Sequence, residues 1–381
     1  MEDLRIAIVQ YAGDFREASR RFANGGPENY RAQRFTVDYV HDLASRVSAV
    51  TTITGFTEEK YEETLPSGAQ AVGAGFHSAF DHTEMIRAIK AFGPNRIILR
   101  TPDRRLLRWV AKSGIPTLAL LADSFQAKSL KDHVTRFLTS RYLNAKCIEI
   151  VANHGKLATE QLIEMGVDRR KVIAWDYPQF NTPDQNAPKT MPAGRTAFYV
   201  GLIVAAKGVG DLVDAAGVLK QAGRPIDLRI YGNGDVEWLK TYIAQRDLED
   251  VVSYHGVLRN DKVIETMNKS DVIVVPSRHD YGEGLPLTIY EALCSRTPLI
   301  TSDHPMFKGL LRGEADVPQF RATDGQALAG RIDSLLSDPE EYERLSRNSA
   351  VAWNAIQVPT KWDRLIDDWL QRDVAALKKS A

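Results

Sequence analysis

Cysteine is nearly absent: Cys147 and Cys294, the two in 381 residues, match no CxxC or zinc-ligand spacing, so a reducing compartment is expected. Charge of one sign is missing as well, with 49 Lys and Arg against 49 Asp and Glu. Over residues 1–190 the basic residues lead by only 26 to 22, and no basic stripe interleaved with aromatics stands out, which argues against nucleic acid as a partner. No window approaches the ~18 consecutive apolar residues of a membrane-spanning helix. MEDLRIAIVQY (1–11) lacks the basic start and long apolar core of a secretory leader, so a cytoplasmic location is expected. There is no excess of proline, glycine or aromatics, no low-complexity run and no repeat, leaving an ordinary globular composition. The phosphate-binding pattern GxxxxGKS/T is absent. No Asp-x-Asp follows a strand where it would hold a divalent ion, so no metal is expected.

What is present is alternation. A chain of 381 residues suggests two domains. In the first half the strand candidates are LRIAIVQY (4–11), AVTTITGF (49–56), QAVGAGF (70–76), RIILRTP (96–102), TLALLAD (117–123), CIEIVAN (147–153) and KVIAWDYP (171–178). Helix-like stretches separate them. The strand runs are continuously apolar, which suits strands buried on both faces of a parallel sheet. A proline-rich stretch (178–194) breaks the pattern and is read as a linker, with its core at 181–194. The pattern then restarts with TAFYVGL (196–202), IDLRIYG (226–232), VVSYHG (251–256), DVIVVPS (271–277) and TPLITSD (297–303). The expected architecture is α/β: two doubly wound parallel-sheet domains, residues 1–180 and 195–359, followed by a C-terminal helix (360–381) that packs back on the first domain. Ligands of such sheets bind beyond the carboxyl ends of the strands, and the default site is the cleft between the domains.

The stretch YGEGLPLTIYEAL (281–293) fixes attention on two carboxylates. Pro286 suits the first turn of a helix, which puts Glu283 in a loop and Glu291 in the second helical turn. Leu287, Tyr290, Glu291 and Cys294 share one stripe, so Glu291 sits where an apolar residue costs least. Burying a carboxylate there costs several kcal/mol, in order of magnitude, unless donors answer it. Sugar hydroxyls are suitable donors. The amides around Gly284 and Leu285 would meet phosphate at the positive end of the helix dipole. The outline is that of a nucleoside-diphosphate-sugar.

PSRHDYGEGLPLTIYEALCSRTPLITSD (276–303) resembles the donor-site motif of retaining glycosyltransferases of the GT-B fold, family 4. In that motif two glutamates are separated by seven residues. FYVGLIVAAKGVGDLVDAAGVL (198–219), RIYGNGD (229–235) and VVSYHGVLRNDKVIETMNKSDVIVVPS (251–277) extend the likeness through the second domain, while the first half matches only in outline. The resemblance implies two Rossmann-like domains and a nucleoside-diphosphate-sugar donor, with no further cofactor. It also implies that Glu283 holds the donor sugar, Glu291 the nucleotide ribose, and Gly284 and Leu285 the phosphates. Lys207, at the start of a helix, would neutralise the departing diphosphate. The family's second phosphate clamp, an arginine after the glycine, is here Leu202, and its acidic residue before the lysine is Ala206. Arg278 is the candidate for the missing charge.

In the first domain, Gly25 and Gly26 close a polar loop read as lying before a helix, where backbone approaches phosphate or acceptor. Asp123, with Ala122 where relatives often carry a histidine, is placed to bind a donor hydroxyl or orient the acceptor, or else to cap the following helix. His77 and His154 read as structural, His154 near a helix start. SLKDHVTRFLTSRYLNAK (129–146) is a basic amphipathic helix suited to an anionic membrane, which adds the inner face of the membrane as a possible location. The expected reaction transfers sugar to a hydroxyl acceptor (glycan, lipid-linked or small molecule) with retention. Two alternatives stand: a sugar-nucleotide-binding protein with impaired catalysis, motivated by Leu202 and Ala122, and a dinucleotide-dependent oxidoreductase. The latter lacks a GxGxxG fingerprint, since Gly73 and Gly75 have no third glycine.

Overall fold

Short apolar runs become strands because each feeds two cores at once. In β1 (Arg5–Gln10), Ile6 and Ile8 point into one buried cluster while Ala7 and Val9 point into another. A strand with this pattern has no solvent face and must sit between two helical layers. The structure, a computed structural model, describes residues 3–29, 32–125, 129–283, 287–308, 311 and 316–371. It divides into two units, one running to Pro178 and resuming at Val358, the other spanning Gln179–Gln357.

The first unit continues with α1 (Phe15–Ala23), α2 (Gln33–Arg46), β2 (Ala49–Thr54), β3 (Lys60–Thr64), β4 (Gln70–Ala74), α3 (His82–Phe92) and β5 (Arg96–Leu99). It then runs through α4 (Arg104–Ser113), β6 (Thr117–Leu121), α5 (Leu130–Leu143), β7 (Ile148–His154), α6 (Lys156–Glu164) and β8 (Val172–Trp175). Its sheet has the order β3-β4-β2-β1-β5-β6-β7-β8, parallel except for the β3–β4 pair. The second unit comprises β9 (Thr196–Val200), α7 (Val209–Gln221), β10 (Asp227–Tyr231), α8 (Val236–Ala244), β11 (Val252–Tyr254), α9 (Asn260–Asn268) and β12 (Val272–Val275). After these come α10 (Leu287–Ser295), β13 (Leu299–Ser302), α11 (Pro305–Lys308), β14 (Gln319–Phe320), α12 (Gly325–Leu335) and α13 (Pro339–Ile356). Its sheet, β11-β10-β9-β12-β13-β14, is parallel throughout. The chain builds outward from β9 through β10 and β11, then returns to place β12 on the other side of β9. The loops leaving β9 and β12 therefore diverge at a topological switch point, where such sheets bind ligands.

The proline-rich stretch departs from a linker, while the C-terminal helix packs on the first unit as expected. Residues 179–194 fold with the second unit. A helical turn at Pro183–Gln185 is tied in by the Arg296 Nε donating to the Pro183 carbonyl at 2.9 Å, and Asn186 donates to the Cys294 carbonyl at 2.9 Å. The Lys189 ammonium donates to the carbonyls of Asn268 and Ser270, and burial holds its pKa below the ordinary lysine value. The prolines thus stiffen a strap whose polar groups are answered by the domain. Helix α14 (Trp362–Leu370) buries Trp362, Leu365, Ile366 and Trp369 in the first unit's core. The Asp367 carboxylate accepts from the Tyr39 hydroxyl at 2.7 Å and from Arg46 at 2.9 Å. No described helix is long and apolar enough to cross a membrane.

Candidate functional site

At the switch point of the second unit the two loops are joined before any side chain is considered. After β9, residues Ala205–Lys207 make one helical turn that ends at Gly208, with φ of 72°. A Cβ at Gly208 would stand 2.0 Å from the Pro276 carbonyl oxygen, so the two loops pass too closely for any other residue. The Arg278 amide donates to the Ala206 carbonyl at 2.9 Å, closing the contact. From the neighbouring strand, the loop after β10 presses in through Gly232, with φ of 146°, where a Cβ would meet the Gly201 oxygen at 1.8 Å.

This backbone arrangement carries Lys207 onto Glu283. Their side chains form an ion pair, and Glu283 is 5% exposed. The buried Ser277 hydroxyl donates to the same carboxylate oxygen at 2.6 Å, and the Lys207 ammonium lies 4.3 Å from the centre of the Tyr281 ring. A buried carboxylate is tolerable when it has both a counter-charge and a hydrogen-bond donor, as here. Behind it, the Ser302 hydroxyl donates to the Ser277 carbonyl at 2.6 Å. His304, 1% exposed, accepts from the Met306 amide on Nδ1 and faces the Tyr281 carbonyl with Nε2, each at 3.2 Å, which makes Nε2 the protonated nitrogen. Burial pushes its pKa down. Tyr199, buried below the pair, has its phenol pKa raised, first by burial and then by the Glu283 charge, and donates to the Leu202 carbonyl at 2.9 Å.

Glu291 lies in the second turn of α10 and is 7% exposed, between Tyr290 and Ala292, both fully buried. Gly284 and Leu285 lie outside the described residues. Arg278 does not stand free beside the pair. Its guanidinium grips the buried Asp211 of α7 at 2.5 and 3.0 Å, so the charge proposed for a ligand neutralises a carboxylate in the first turn of α7 instead. Leu202, in the family's arginine position, is 39% exposed.

The first unit changes several readings. Gly25 and Gly26 lie between two helices: they end α1 and come before α2, which starts at Gln33. The polar run after Asp14 is α1, capped by the Asp14 carboxylate accepting from the Glu17 amide. Gly25 takes a left-handed φ of 72° and Gly26 donates to the Arg21 carbonyl at 2.8 Å, which makes a helix stop. Asp123 follows β6, and its backbone is clamped on both sides by Asn153, at 3.1 and 2.9 Å. Burial raises its pKa, and α5 is capped by Ser129, so capping is not what Asp123 does. His77 is exposed. His154 is the last residue of β7, directly before the N-cap Gly155 of α6, and its Nε2 meets the buried Asp176 at 3.0 Å. Sequence reading missed Ser277, Tyr281 and His304, whose roles depend on contacts across loops. It missed Arg100 too, which leaves β5 at the first unit's switch point and donates to Gln10 at 3.1 Å. Concavity alone marks nothing here: a hollow of about 610 Å³ lies between α6, β8 and residues 358–360, away from the carboxyl ends of the strands.

Residues 183–351 match the family described as glycosyl transferases group 1. Over 157 residues the chain is 32% identical to alpha-D-kanosaminyltransferase of Streptomyces kanamyceticus, covering 40% of this chain and 39% of that one. Over 189 residues it is 32% identical to the amylovoran biosynthesis glycosyltransferase AmsK of Erwinia amylovora, covering 48% and 45%. These matches span less than half the length of the curated relatives. Among solved structures, sucrose-phosphate synthase of Thermosynechococcus elongatus superposes with a TM-score of 0.69 at 17% identity, covering 98% of this chain and 99% of that one. Anabaena Alr3699/HepE in complex with UDP-glucose gives 0.66 at 14%, covering 98% and 100%. At such identities the likeness shows the fold, which is GT-B.

Proposed function

We propose that this chain, which carries a glycosyl transferases group 1 domain at residues 183–351, moves a sugar from a nucleoside-diphosphate-sugar to a hydroxyl acceptor with retention of anomeric configuration. The observation that carries the reading is the Lys207–Glu283 pair, its carboxylate buried and shared with Ser277, at the switch point of the second sheet. A carboxylate and an ammonium side by side offer one group to sugar hydroxyls and the other to phosphate oxygens. Glu283 holds the donor sugar, Lys207 meets the diphosphate, and Glu291 binds the ribose. The amides of Gly284 and Leu285 are assigned to the phosphates. Asp123 of the first unit is assigned to the acceptor, as a carboxylate of raised pKa suited to orienting a hydroxyl.

In the step itself, the bond from the anomeric carbon to the phosphate oxygen breaks while the acceptor oxygen bonds to the same face of that carbon. The acceptor proton passes to the departing phosphate oxygen, and the negative charge grows beside Lys207. Glu283→Gln keeps the shape and removes the charge. It is expected to lower kcat/KM for donor by about a hundredfold or more, in line with loss of one preorganised electrostatic group, with an unchanged circular dichroism spectrum. Turnover at the native rate in that variant, measured by release of nucleoside diphosphate across UDP-, GDP- and ADP-sugars, would remove Glu283 from this role. The exposed Leu202 where an arginine is usual favours a second reading, a sugar-nucleotide-binding protein with weak catalysis. Calorimetric donor binding without turnover would select it.

A further inference from the structure

Helix α5 is apolar on two sides. Leu143 is buried toward the first unit's core, yet Leu130, Val134 and Phe137 are 86%, 59% and 58% exposed. At about 100° per residue these three and Arg141 fall within an arc of roughly 60° on the outer side. They are three of the eight large hydrophobics exposed among the described residues, and no other helix gathers more than one. Scattered exposed apolar residues need no explanation, but a stripe along one helix does. Its surroundings carry one sign of charge. From the start of α3 to Lys146 the sequence holds 13 Lys and Arg against 4 Asp and Glu. Of those four, Glu84 pairs with Lys60, and Asp103 caps α4, which packs directly on α5. Arg141 continues the stripe one turn past Phe137, and Lys131 lies to one side of it. On α4, Arg104, Arg108 and Lys112 are exposed, and among the described residues none of these five cations pairs with a carboxylate.

From this conjunction we infer that the outer face of α5, with the basic face of α4 beside it, is a docking surface for an anionic lipid bilayer. Leu130, Val134 and Phe137 enter the headgroup–acyl boundary while the cations stay at headgroup level, as interfacial helices do. A second copy of the chain is disfavoured as the occupant, because closing a two-fold interface here would face the same excess of cations onto itself. Each Lys or Arg held at an anionic surface multiplies binding about fivefold. The stripe begins seven residues after Asp123, at the carboxyl edge of the first sheet. On the glycosyltransferase reading, the bilayer and the acceptor side share that edge; the binding itself does not depend on that reading.

Co-sedimentation of the full chain with phosphatidylcholine vesicles, with and without about 30% phosphatidylglycerol, tests it. Expected is at least tenfold stronger partition onto the anionic vesicles, falling steeply from about 0.1 M to 0.5 M salt. L130S/V134S/F137S should lose tenfold or more at unchanged circular dichroism and thermal midpoint, since all three side chains are exposed. K131E/R141E should lose tenfold at low salt and flatten the salt dependence. Absence of partition by the native protein, or partition of both variants equal to native, would overturn the inference. So would self-association, read by sedimentation velocity, that the triple variant abolishes while vesicle binding is absent. Donor turnover, measured on soluble acceptors, is independent of every one of these outcomes.

Discussion

A glutamate that is 5% exposed is held by what surrounds it, and here the surroundings are themselves titratable. His304 secures the Tyr281 carbonyl two residues before Glu283, and only the neutral imidazole can accept from the Met306 amide. Burial lowers its pKa first, His279 and Lys207 lower it further, and the Glu283 carboxylate and the Tyr281 carbonyl pull it up. With the folded value below the unfolded ~6.5, the unfolded chain binds more protons between the two. Stability from this group is therefore complete above about pH 6.5 and is lost as pH falls toward the folded pKa. His304→Gln keeps one acceptor and one donor without the titration. Its thermal midpoint should fall measurably less between pH 7 and pH 5 than that of the native protein. His41, whose pKa burial also lowers, is common to both proteins and cancels in the comparison. Equal slopes would separate His304 from the loop. The Glu283 and Glu291 pair was readable in the sequence because its spacing is local, whereas Lys207, 76 residues before Glu283, stood out only through its own stretch after β9. His304 was not, since its partners lie across another loop.

At the scale of elements, the strands read most clearly. All seven runs proposed in the first half and all five in the second are strands within a few residues, because a continuous apolar run bounded by turn residues has few other solutions. The two overlooked strands are edges: β3 alternates exposed and half-buried residues, and β14 has two residues. Helix α1 was overlooked because its outward face is charged, so the residues before Gly25 and Gly26 read as a polar loop. Gly208 is where elements meet most tightly. Gly208→Ala adds a left-handed penalty of about 1 kcal/mol and a collision with the Pro276 carbonyl that only moving a loop relieves. Gly223→Ala, at φ of 71° with nothing within 4 Å, incurs the penalty alone. Gly208→Ala should therefore unfold several degrees lower than Gly223→Ala and lose donor turnover by about a hundredfold as Lys207 shifts, whereas Gly223→Ala keeps its activity. Equal midpoints in thermal melts would show that the loops yield freely.

On the scale of the whole molecule, the chain crosses between its units twice, near Pro178 and near Gln357, so the first unit is completed by a segment made after the second unit. Trp362 is 1% exposed in that unit's core, and its indole N–H has no hydrogen-bond partner among the described residues. Trp362→Ala should cost about 3–5 kcal/mol, while Trp362→Phe should cost far less, because it removes an unanswered donor along with some volume. Urea unfolding followed separately for the two units should place the whole loss in the first; an equal loss in both would mean that they unfold as one. By itself the sequence determined the α/β class, the two sheets and the carboxylate pair, because apolar period and motif spacing act within a few residues along the chain. Tertiary structure alone decided that the proline-rich stretch is strapped to the second unit, that Arg278 is taken by Asp211, that Gly25 and Gly26 stop a helix, and that Lys207 meets Glu283. Each of those outcomes rests on a contact between segments that only a closed sheet brings within hydrogen-bond range.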